Sequence, residues 1–320
     1  MMSGKVLLGD LSSGSYVKLA LAETGRRPDS IYNYACSSLE DFEAALGDFL
    51  AEHGNPQLSG AAFSTSGWEI DGRVDLVHFG FALERYHVAQ LLGTPWVKVI
   101  NNFVAKALSI PILDESERDR ISGEDAAPGH VVAVIGPTTG LGGAFLSPDG
   151  RGGWVASHCE GGHADFAPRT ELEIEILKLM MKKYGHVSRE CAVSTRGLKD
   201  LWACLAAIEG DDEATPSTDE ILAQAHIGDA RATQAVRLQT EIYAGVASDF
   251  ALMTGAKGGV YLAGSFLKTL GHLFDPEVFA ARFYDKGRVS SYVREIPVYR
   301  ITVPDCEILG ISTLFDAEAG

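Results

Sequence analysis

The amino-acid sequence predicts a mixed α/β protein with two lobes. Short apolar runs typical of buried strands alternate with longer segments of helical periodicity throughout the chain. A strand, a turn of small residues and a second strand occur within residues 5–22 and again within residues 130–146. The chain of 320 residues is longer than one typical domain, and its apolar content of 46% is enough to fill sizeable cores. These observations together predict an α/β architecture with a structural duplication.

Strands are predicted where short runs of β-branched and apolar residues lie between turn residues. In chain order they are expected at residues 5–9, 16–22, 60–64, 96–100, 130–135, 143–146, 259–263 and 298–303. Helices are predicted where apolar residues recur at three- and four-residue spacing or follow a capping residue. They are expected at residues 39–53, 81–92, 103–110, 170–184, 195–207, 230–254, 276–284 and 308–317, and one more begins near residue 217.

Two of these helices carry specific signals. Ser217 and Glu220 have the spacing of a capping box, in which each side chain bonds the other residue's backbone amide. The long helix at residues 230–254 has apolar residues at spacings of three, four and seven, which predicts a buried stripe. The stripe consists of Val236, Tyr243, Val246, Phe250 and Met253.

A polar segment divides the chain. Residues 114–129 contain six acidic residues and no apolar periodicity, which favours a domain junction or a mobile loop. A boundary there gives a smaller lobe of residues 1–112, completed by residues 304–320 at the end of the chain. The larger lobe then comprises residues 113–303.

Charge and cysteine usage exclude several classes of protein. The net charge of −16 argues against nucleic acid or an anionic membrane as the main partner. The five cysteines are scattered and form no CxxC pair, so neither a zinc ribbon nor a disulfide framework is expected. No signal peptide and no apolar run of about 20 residues is found, so no membrane span is expected. A reduced, cytoplasmic setting is predicted.

The stretch CEGGHADFAP at residues 159–168 has the strongest chemical character. Glu160 can accept two hydroxyl donors, His163 can donate or accept, and the glycines between them allow close approach of a ligand. This combination suits a small polyol, although a polar turn that caps the helix after Pro168 would have the same composition. The spacing of His158 and His163 superficially resembles a metalloprotease motif, but two adjacent glycines disfavour the required helix.

Two familiar nucleotide-binding motifs are absent from the sequence. It contains no Walker A loop, and no GxGxxG opens a helix after a strand. The small-residue turns at residues 10–15 and 136–142 remain as candidates, because successive backbone amides in such turns can bind phosphate.

On these motifs the chain resembles the bacterial glucokinases of the hexokinase superfamily. The most specific stretches are EGGHADFAP at residues 160–168, TGLG at 139–142 and GGVYLAG at 258–264. Further landmarks in the family's order are HVS at residues 186–188, DKGR at 285–288 and IPVY at 296–299. The resemblance implies a two-lobed actin-like ATPase fold, which is a duplicated ribonuclease-H-like fold with a central cleft. It also implies phosphorylation of the 6-hydroxyl of a hexose, namely glucose, with ATP and Mg²⁺, and a possible homodimer.

The resemblance implies a sugar site made of carboxylates, amides and one imidazole. Its residues are Asn101, Asn102, Glu160, His163 and Glu190. Each also has a structural alternative. Glu190 could supply capping charge at a helix N-terminus, His163 could be a core histidine bonded to backbone, and Asn101 could be a loop amide.

Asn102 is the departure from the family that matters most. The family has an aspartate there, which accepts the proton of the sugar hydroxyl, and a carboxamide has no comparable basicity. General-base catalysis is worth roughly 10²–10⁴-fold, so weak turnover is expected. Positioning and electrostatics carry much of phosphoryl transfer, so residual activity is compatible with the loss.

The residues expected to bind the nucleotide differ from the family's pattern at more positions than those expected to bind the sugar. The implied nucleotide and phosphate residues are Asp10, Ser13, Gly14, Thr139, Gly140 and Gly264. Asp10 would hold Mg²⁺ through water, but serines stand where the first turn of the family has glycines. Lys18 replaces an arginine, which removes bidentate phosphate recognition. Pro137 and Thr138 replace residues of the second turn, and the proline lacks an N–H. Ser13 and its neighbours could equally form a plain serine-rich hairpin turn.

Three hypotheses follow for the function. The first is an active glucose kinase with weak turnover. The second is a catalytically inactive hexose-binding pseudo-kinase with a sensor or regulatory role. The third is a structural or interaction protein that has lost both ligands, and the intact EGGH stretch disfavours it.

Overall fold

The computed structural model describes residues 4–315, which form two compact units. Of the described residues, the first unit contains 4–114, 149–156 and 303–315, and the second contains 115–148 and 157–302. The strands are β1 (Lys5–Leu11), β2 (Tyr16–Glu23), β3 (Tyr32–Ala35), β4 (Leu58–Thr65), β5 (Arg73–Leu76), β6 (Phe81–Glu84), β7 (Val97–Asn101), β8 (Arg118–Ser122), β9 (Val132–Pro137), β10 (Leu141–Pro148), β11 (Trp154–Cys159), β12 (Gly259–Leu262) and β13 (Val298–Ile301). The helices are α1 (Leu39–Glu52), α2 (Arg85–Leu92), α3 (Asn102–Ser109), α4 (Glu171–Tyr184), α5 (Thr195–Glu209), α6 (Thr218–His226), α7 (Ala230–Thr254), α8 (Ser265–Leu270), α9 (Pro276–Tyr284), α10 (Ser290–Arg294) and α11 (Cys306–Ser312).

The first unit is built on a five-stranded sheet in the order β3-β2-β1-β4-β7. The pairs β1–β2 and β2–β3 are antiparallel, whereas β4 pairs in parallel with both β1 and β7. Successive side chains of β1 face opposite sides, as strand geometry requires. Leu7 packs in the core that contains Phe42 of α1, and Val6 and Leu8 pack in the core that contains Ile308 of α11. Both faces of the sheet are therefore covered.

One glycine determines how closely two helices of the first unit pack. A Cβ atom on Gly310 of α11 would overlap the carbonyl oxygen of Ala105 in α3. Only glycine allows this approach, which brings the start of α11 beside α3 and β1.

The second unit repeats the pattern of the first. Its six-stranded sheet has the order β11-β10-β9-β12-β13-β8, with β9–β10 antiparallel and β12 parallel to both β9 and β13. Helix α7 crosses its core, where the Tyr243 hydroxyl donates to the carbonyl oxygen of Ile135 at 2.8 Å and the Tyr243 ring packs on Phe279. The same hairpin-plus-parallel-strand arrangement thus occurs in both units, and the predicted α/β fold class is confirmed.

Several details differ from the sequence predictions. Residues 81–84 are not helical but form β6, which pairs with β5, and the helix begins only at Arg85. The polar segment at 114–129 is not wholly a loop, because β8 pairs with β13 as a charged edge strand. Met253 is 63% exposed and does not belong to the buried stripe of α7. The last helix, predicted at residues 308–317, is α-helical only as far as Ser312. Residues 316 and 317 lie outside the described part of the chain.

The sequence also missed five short elements. These are β3, β5, β11, α8 and α10. Among residues 4–315 no helix has the length and apolar character needed to span a membrane.

Candidate active site

The EGGH segment is a tight turn immediately after β11. Glu160 precedes a one-turn 3₁₀ helix, Gly161–His163, in which the His163 amide donates to the carbonyl oxygen of Glu160 at 3.0 Å. A Cβ atom on Gly162 would overlap the carbonyl oxygen of Leu141, so only glycine lets the segment lie this close to the start of β10. The segment does not cap the following helix, because Thr170 accepts the amide of Glu173 in that role.

His163 lies between two carboxylates. Its Nε2 is 3.7 Å from Oε2 of Glu160, and its Nδ1 is 4.0 Å from Oε1 of Glu190. Both distances are longer than a direct hydrogen bond, so these nitrogen and oxygen atoms remain available to bind a ligand. The His163 side chain is 61% exposed, which does not fit the alternative of a core histidine. The three side chains form an open group of oxygen and nitrogen atoms suited to hydroxyl ligands.

Glu190 is also connected to the second candidate phosphate turn. It lies in the one-turn 3₁₀ helix Arg189–Cys191, and its Oε2 accepts the Leu141 amide at 3.4 Å. A Cβ atom on Gly140 would lie only 2.6 Å from the same oxygen. Glu190 does not cap α5, because the Ser194 hydroxyl accepts the Gly197 amide there. Its charge lies in the first turn of the helix Arg189–Cys191, so the alternative of a helix N-terminal charge stays open there.

The second turn is held by its own hydrogen bonds. The Thr138 amide donates to the carbonyl oxygen of Gly140 at 2.7 Å, and the Gly140 amide donates to the Thr138 hydroxyl at 3.3 Å. Thr139 is exposed at the tip. Gly264 has φ of 107° and lies against Pro137, where a Cβ atom would overlap the proline carbonyl oxygen. Gly264 therefore lies against Pro137, at the start of the turn that carries Thr139 and Gly140, and two amides of this turn already have partners.

In the first unit, the two asparagines are in different situations. Asn101 caps α3, because its Oδ1 accepts the Phe103 amide at 2.8 Å and its Nδ2 donates to the carbonyl oxygen of Gly67 at 3.4 Å. Asn102 is the first residue of α3 and is 9% exposed. Within residues 4–315 its amide group forms no hydrogen bond, so it keeps its donors and acceptor for a ligand.

Asp10 lies at the end of β1 beside the first turn and is 1% exposed. It accepts hydrogen bonds from Ser64 and from Ser12, the latter at 2.9 Å. Burial, together with the nearby charge of Glu307, raises the pKa of Asp10 to about 6, although Lys18 opposes this shift. A single carboxylate fits a water-mediated Mg²⁺, since that ion usually keeps several waters and takes further oxygens from substrate phosphates.

The other first-turn residues take part in local contacts. The Ser13 hydroxyl donates to the carbonyl oxygen of Tyr16 at 2.7 Å, and Gly14 has φ of 80°, as expected in a tight hairpin. Lys18 lies 2.7 Å from Asp305 and 3.7 Å from Asp10. Burial alone would lower the pKa of Lys18, but the two carboxylates raise it well above its usual value. Its charge is thus already compensated inside the first unit.

Sequence reasoning missed a buried ion pair in this region. Lys106 of α3 is 4% exposed and bonds Glu307 of α11. Burial alone would raise the pKa of Glu307, but Lys106 lowers it to about 2. A lysine at a buried position of α3 was the one feature of the sequence that could have indicated this ion pair. The pair matters to the site because Glu307 raises the pKa of Asp10.

Comparison with known proteins identifies the family. A family model described as Glucokinase matches residues 7–318. This chain belongs to the glucokinase family. A glucokinase-like protein from Caulobacter vibrioides is 38% identical over 307 residues, which cover 95% of each chain.

Two solved structures share the fold of this glucokinase-family chain. A glucokinase from an Antarctic psychrotroph superimposes with a TM-score of 0.87 at 24% identity and covers 98% of both chains. A ROK-family glucokinase from Streptomyces griseus, in complex with glucose and AMPPNP, has a TM-score of 0.64 at 18% identity, with coverage of 98% and 99%.

Proposed function

We propose that this chain is a glucose kinase of low turnover, which transfers the γ-phosphoryl group of ATP to the sugar 6-hydroxyl. The observation that carries the proposal is the open group formed by Glu160, His163 and Glu190 in a chain that belongs to the glucokinase family. Carboxylates accept sugar hydroxyls, and the imidazole either donates or accepts, so the group suits a hexose. The glucose and AMPPNP bound by the Streptomyces griseus protein support this choice of substrates.

The nucleotide is assigned to the two turns. Thr139 and Gly140 lie at one turn, where Gly264 packs against Pro137, and Asp10 lies beside the other. Asp10 would hold Mg²⁺ through water, and the ion would supply charge neutralisation on the phosphates. Ser13 and Gly14 shape the first turn but already use the serine hydroxyl internally, so a weak contribution to phosphate binding is expected from them.

Asn102 limits the rate in this proposal. An amide can donate to and accept from the 6-hydroxyl, but it does not take up the proton that the hydroxyl must lose. The missing general base costs roughly 10²–10⁴-fold, or about 3–5 kcal/mol of transition-state stabilisation. Orientation and electrostatic stabilisation remain, so a slow reaction is expected rather than none.

The test is the substitution Asn102→Asp, with ADP formation measured at saturating Mg·ATP and glucose. We expect at least about a tenfold increase in kcat, because the carboxylate restores a proton acceptor. Asn55→Asp is the control, since it adds the same charge at an exposed position outside the candidate site, where the φ of 49° suits aspartate as well as asparagine. No turnover by either the unmodified chain or Asn102→Asp, at high enzyme concentration, would refute the kinase proposal.

A second candidate is a hexose-binding pseudo-kinase. The specific observation in its favour is that Lys18, at the position of the family's phosphate-binding arginine, is paired with Asp305 and Asp10. Calorimetric titration with glucose, galactose and other hexoses in the absence of nucleotide tests this candidate. Saturable sugar binding without turnover favours it, and the absence of hexose binding rules it out.

A further inference from the structure

A small cavity of about 130 Å³ lies within the second unit, apart from the EGGH group. Segments from α4, α7 and α9 and the one-turn helix Arg189–Cys191 line it. Its charged residues are four basic and two acidic side chains: Arg169, Arg189, Arg282, Lys286, Glu173 and Asp249. Such a volume is far larger than the roughly 10–15 Å³ that one water requires. Arg169 is paired with Asp285 at 2.8 Å, and Arg282 and Lys286 are paired with Glu173 and Asp249. Arg189 is the cation of the lining without a close carboxylate of its own, and this favours an anion.

Two of the arginines have unused hydrogen-bonding capacity. The Nη2 of Arg282 donates to both carboxylate oxygens of Glu173, at 2.8 and 2.9 Å. The Nε of Arg282 is buried and has no hydrogen-bond partner among the described residues. Arg189 is only 11% exposed, and its nearest carboxylate oxygen, on Asp249, is 3.9 Å away. A buried unpaired donor is costly, and native proteins rarely leave one without a ligand or water.

We infer that this cavity binds a tetrahedral oxyanion, either inorganic phosphate or the phosphoryl group of a small metabolite. Guanidinium groups match phosphate oxygens in a fixed planar geometry, and Lys286, just after the end of α9, supplies a further cation. Lys286 bonds Asp249 and also donates to the carbonyl oxygen of Gly245 at 3.3 Å, which keeps the ammonium at the cavity wall.

The cavity is connected to the sugar-facing segment through the backbone. The Arg189 amide donates to the carbonyl oxygen of Ala164 at 2.9 Å, and Arg189 directly precedes Glu190. The Phe166 amide donates to the carbonyl oxygen of Val187 at 2.9 Å. An anion bound by Arg189 would therefore contact the same short segment that carries Glu190. Through this segment, anion binding would change the affinity of the Glu160–His163–Glu190 group for its ligand.

The test measures anion binding by calorimetry in buffer without sugar or nucleotide, at constant ionic strength set with chloride. Inorganic phosphate and glycerol 3-phosphate, a phosphorylated metabolite without a sugar ring, are titrated separately into the full chain. We expect saturable binding of at least one of them and a loss of at least about tenfold in affinity in Arg189→Met. Arg237→Met is the matched control, because Arg237 is 66% exposed on α7 and lies outside the cavity.

A second variant covers the case in which Arg189→Met does not fold. In Gly245→Ala the new methyl group would lie 3.5 Å from Nε of Arg282, and alanine favours the helix, so weaker anion binding is expected in a folded chain. The tighter of the two anions identifies the source of the phosphoryl group. Binding of neither anion, or binding that both variants leave unchanged, overturns the inference. Because the probes contain no hexose and no nucleotide, these outcomes are independent of the proposed kinase activity.

Discussion

Asp10 is the residue at which function and stability are expected to oppose each other most strongly. Its carboxylate is almost fully buried, and burial is the largest cause of its pKa of about 6, compared with an ordinary value of 3.8. An acid with a raised pKa binds more protons in the folded than in the unfolded chain. The free energy of unfolding therefore falls as pH rises from about 4 through about 6, and the full penalty is present at neutral pH.

The substitution Asp10→Asn removes this penalty. A shift of about 2 pKa units corresponds to about 3 kcal/mol at pH 7, which is an upper limit for the gain. The attraction of Lys18 is already contained in the pKa of about 6 and is not subtracted again. The amide nitrogen of asparagine accepts no hydrogen bond, so Ser12 or Ser64 loses its acceptor, which offsets about 1–2 kcal/mol of the gain. We therefore expect Asp10→Asn to be more stable by about 1–2 kcal/mol at pH 7, with a gain smaller by about 1 kcal/mol at pH 5.

Urea denaturation followed by circular dichroism at pH 5, 6, 7 and 8 measures this difference. Asp305→Asn is the matched control, because it removes the other carboxylate beside Lys18 and asparagine tolerates the positive φ of 55° found there. The control is expected to give no stabilisation, since Asp305 is partly exposed and paired at 2.7 Å. A lower stability of Asp10→Asn at pH 7, or a gain that does not change between pH 5 and pH 7, would refute the reasoning.

Three further substitutions test other parts of the structure. Lys106→Met leaves Glu307 buried without its partner and should cost about 3–5 kcal/mol in urea denaturation, whereas Lys98→Met at an exposed lysine should cost little. Gly310→Ala should destabilise by about 1–3 kcal/mol because its Cβ overlaps α3, whereas a methyl group at helical Gly47 meets nothing within 4 Å and should stabilise by about 0.5–1 kcal/mol. Gly140→Ala places a Cβ 2.6 Å from Glu190, so calorimetry should show glucose affinity reduced by about tenfold with no loss of far-UV circular dichroism.

Local signals in the sequence predicted local structure well. The capping box of Ser217 and Glu220 is formed as expected, and α7 and α9 have the predicted bounds. These features depend on residues within one or two helical turns. The strand β8 was missed because its partner β13 lies about 180 residues away, and a charged edge strand has no apolar alternation to indicate it. The helix predicted at residues 81–92 likewise includes β6, because the four residues of this strand continue directly into α2.

The candidate site was only partly predictable for the same reason. Glu160 and His163 stand in one short motif, and the resemblance of the flanking segments added Glu190. The bond between Lys106 and Glu307 joins residues 201 positions apart, and no local pattern relates them. The burial of a lysine depends on that distant partner, so it became visible only in the folded chain.

The two departures from the family's site residues that we propose, at Asn102 and at Lys18, would act in different ways. In the proposal, Asn102 changes the chemistry of one atom, because a carboxamide replaces a carboxylate on a side chain that forms no hydrogen bond within residues 4–315. Lys18 changes a charge network, because its ammonium is shared between Asp10 and Asp305 and is not free to follow a phosphate. A new carboxylate at position 102 repairs only the first departure. Restored proton transfer with persistently weak nucleotide binding in Asn102→Asp is therefore the pattern that the two defects, acting independently, should produce.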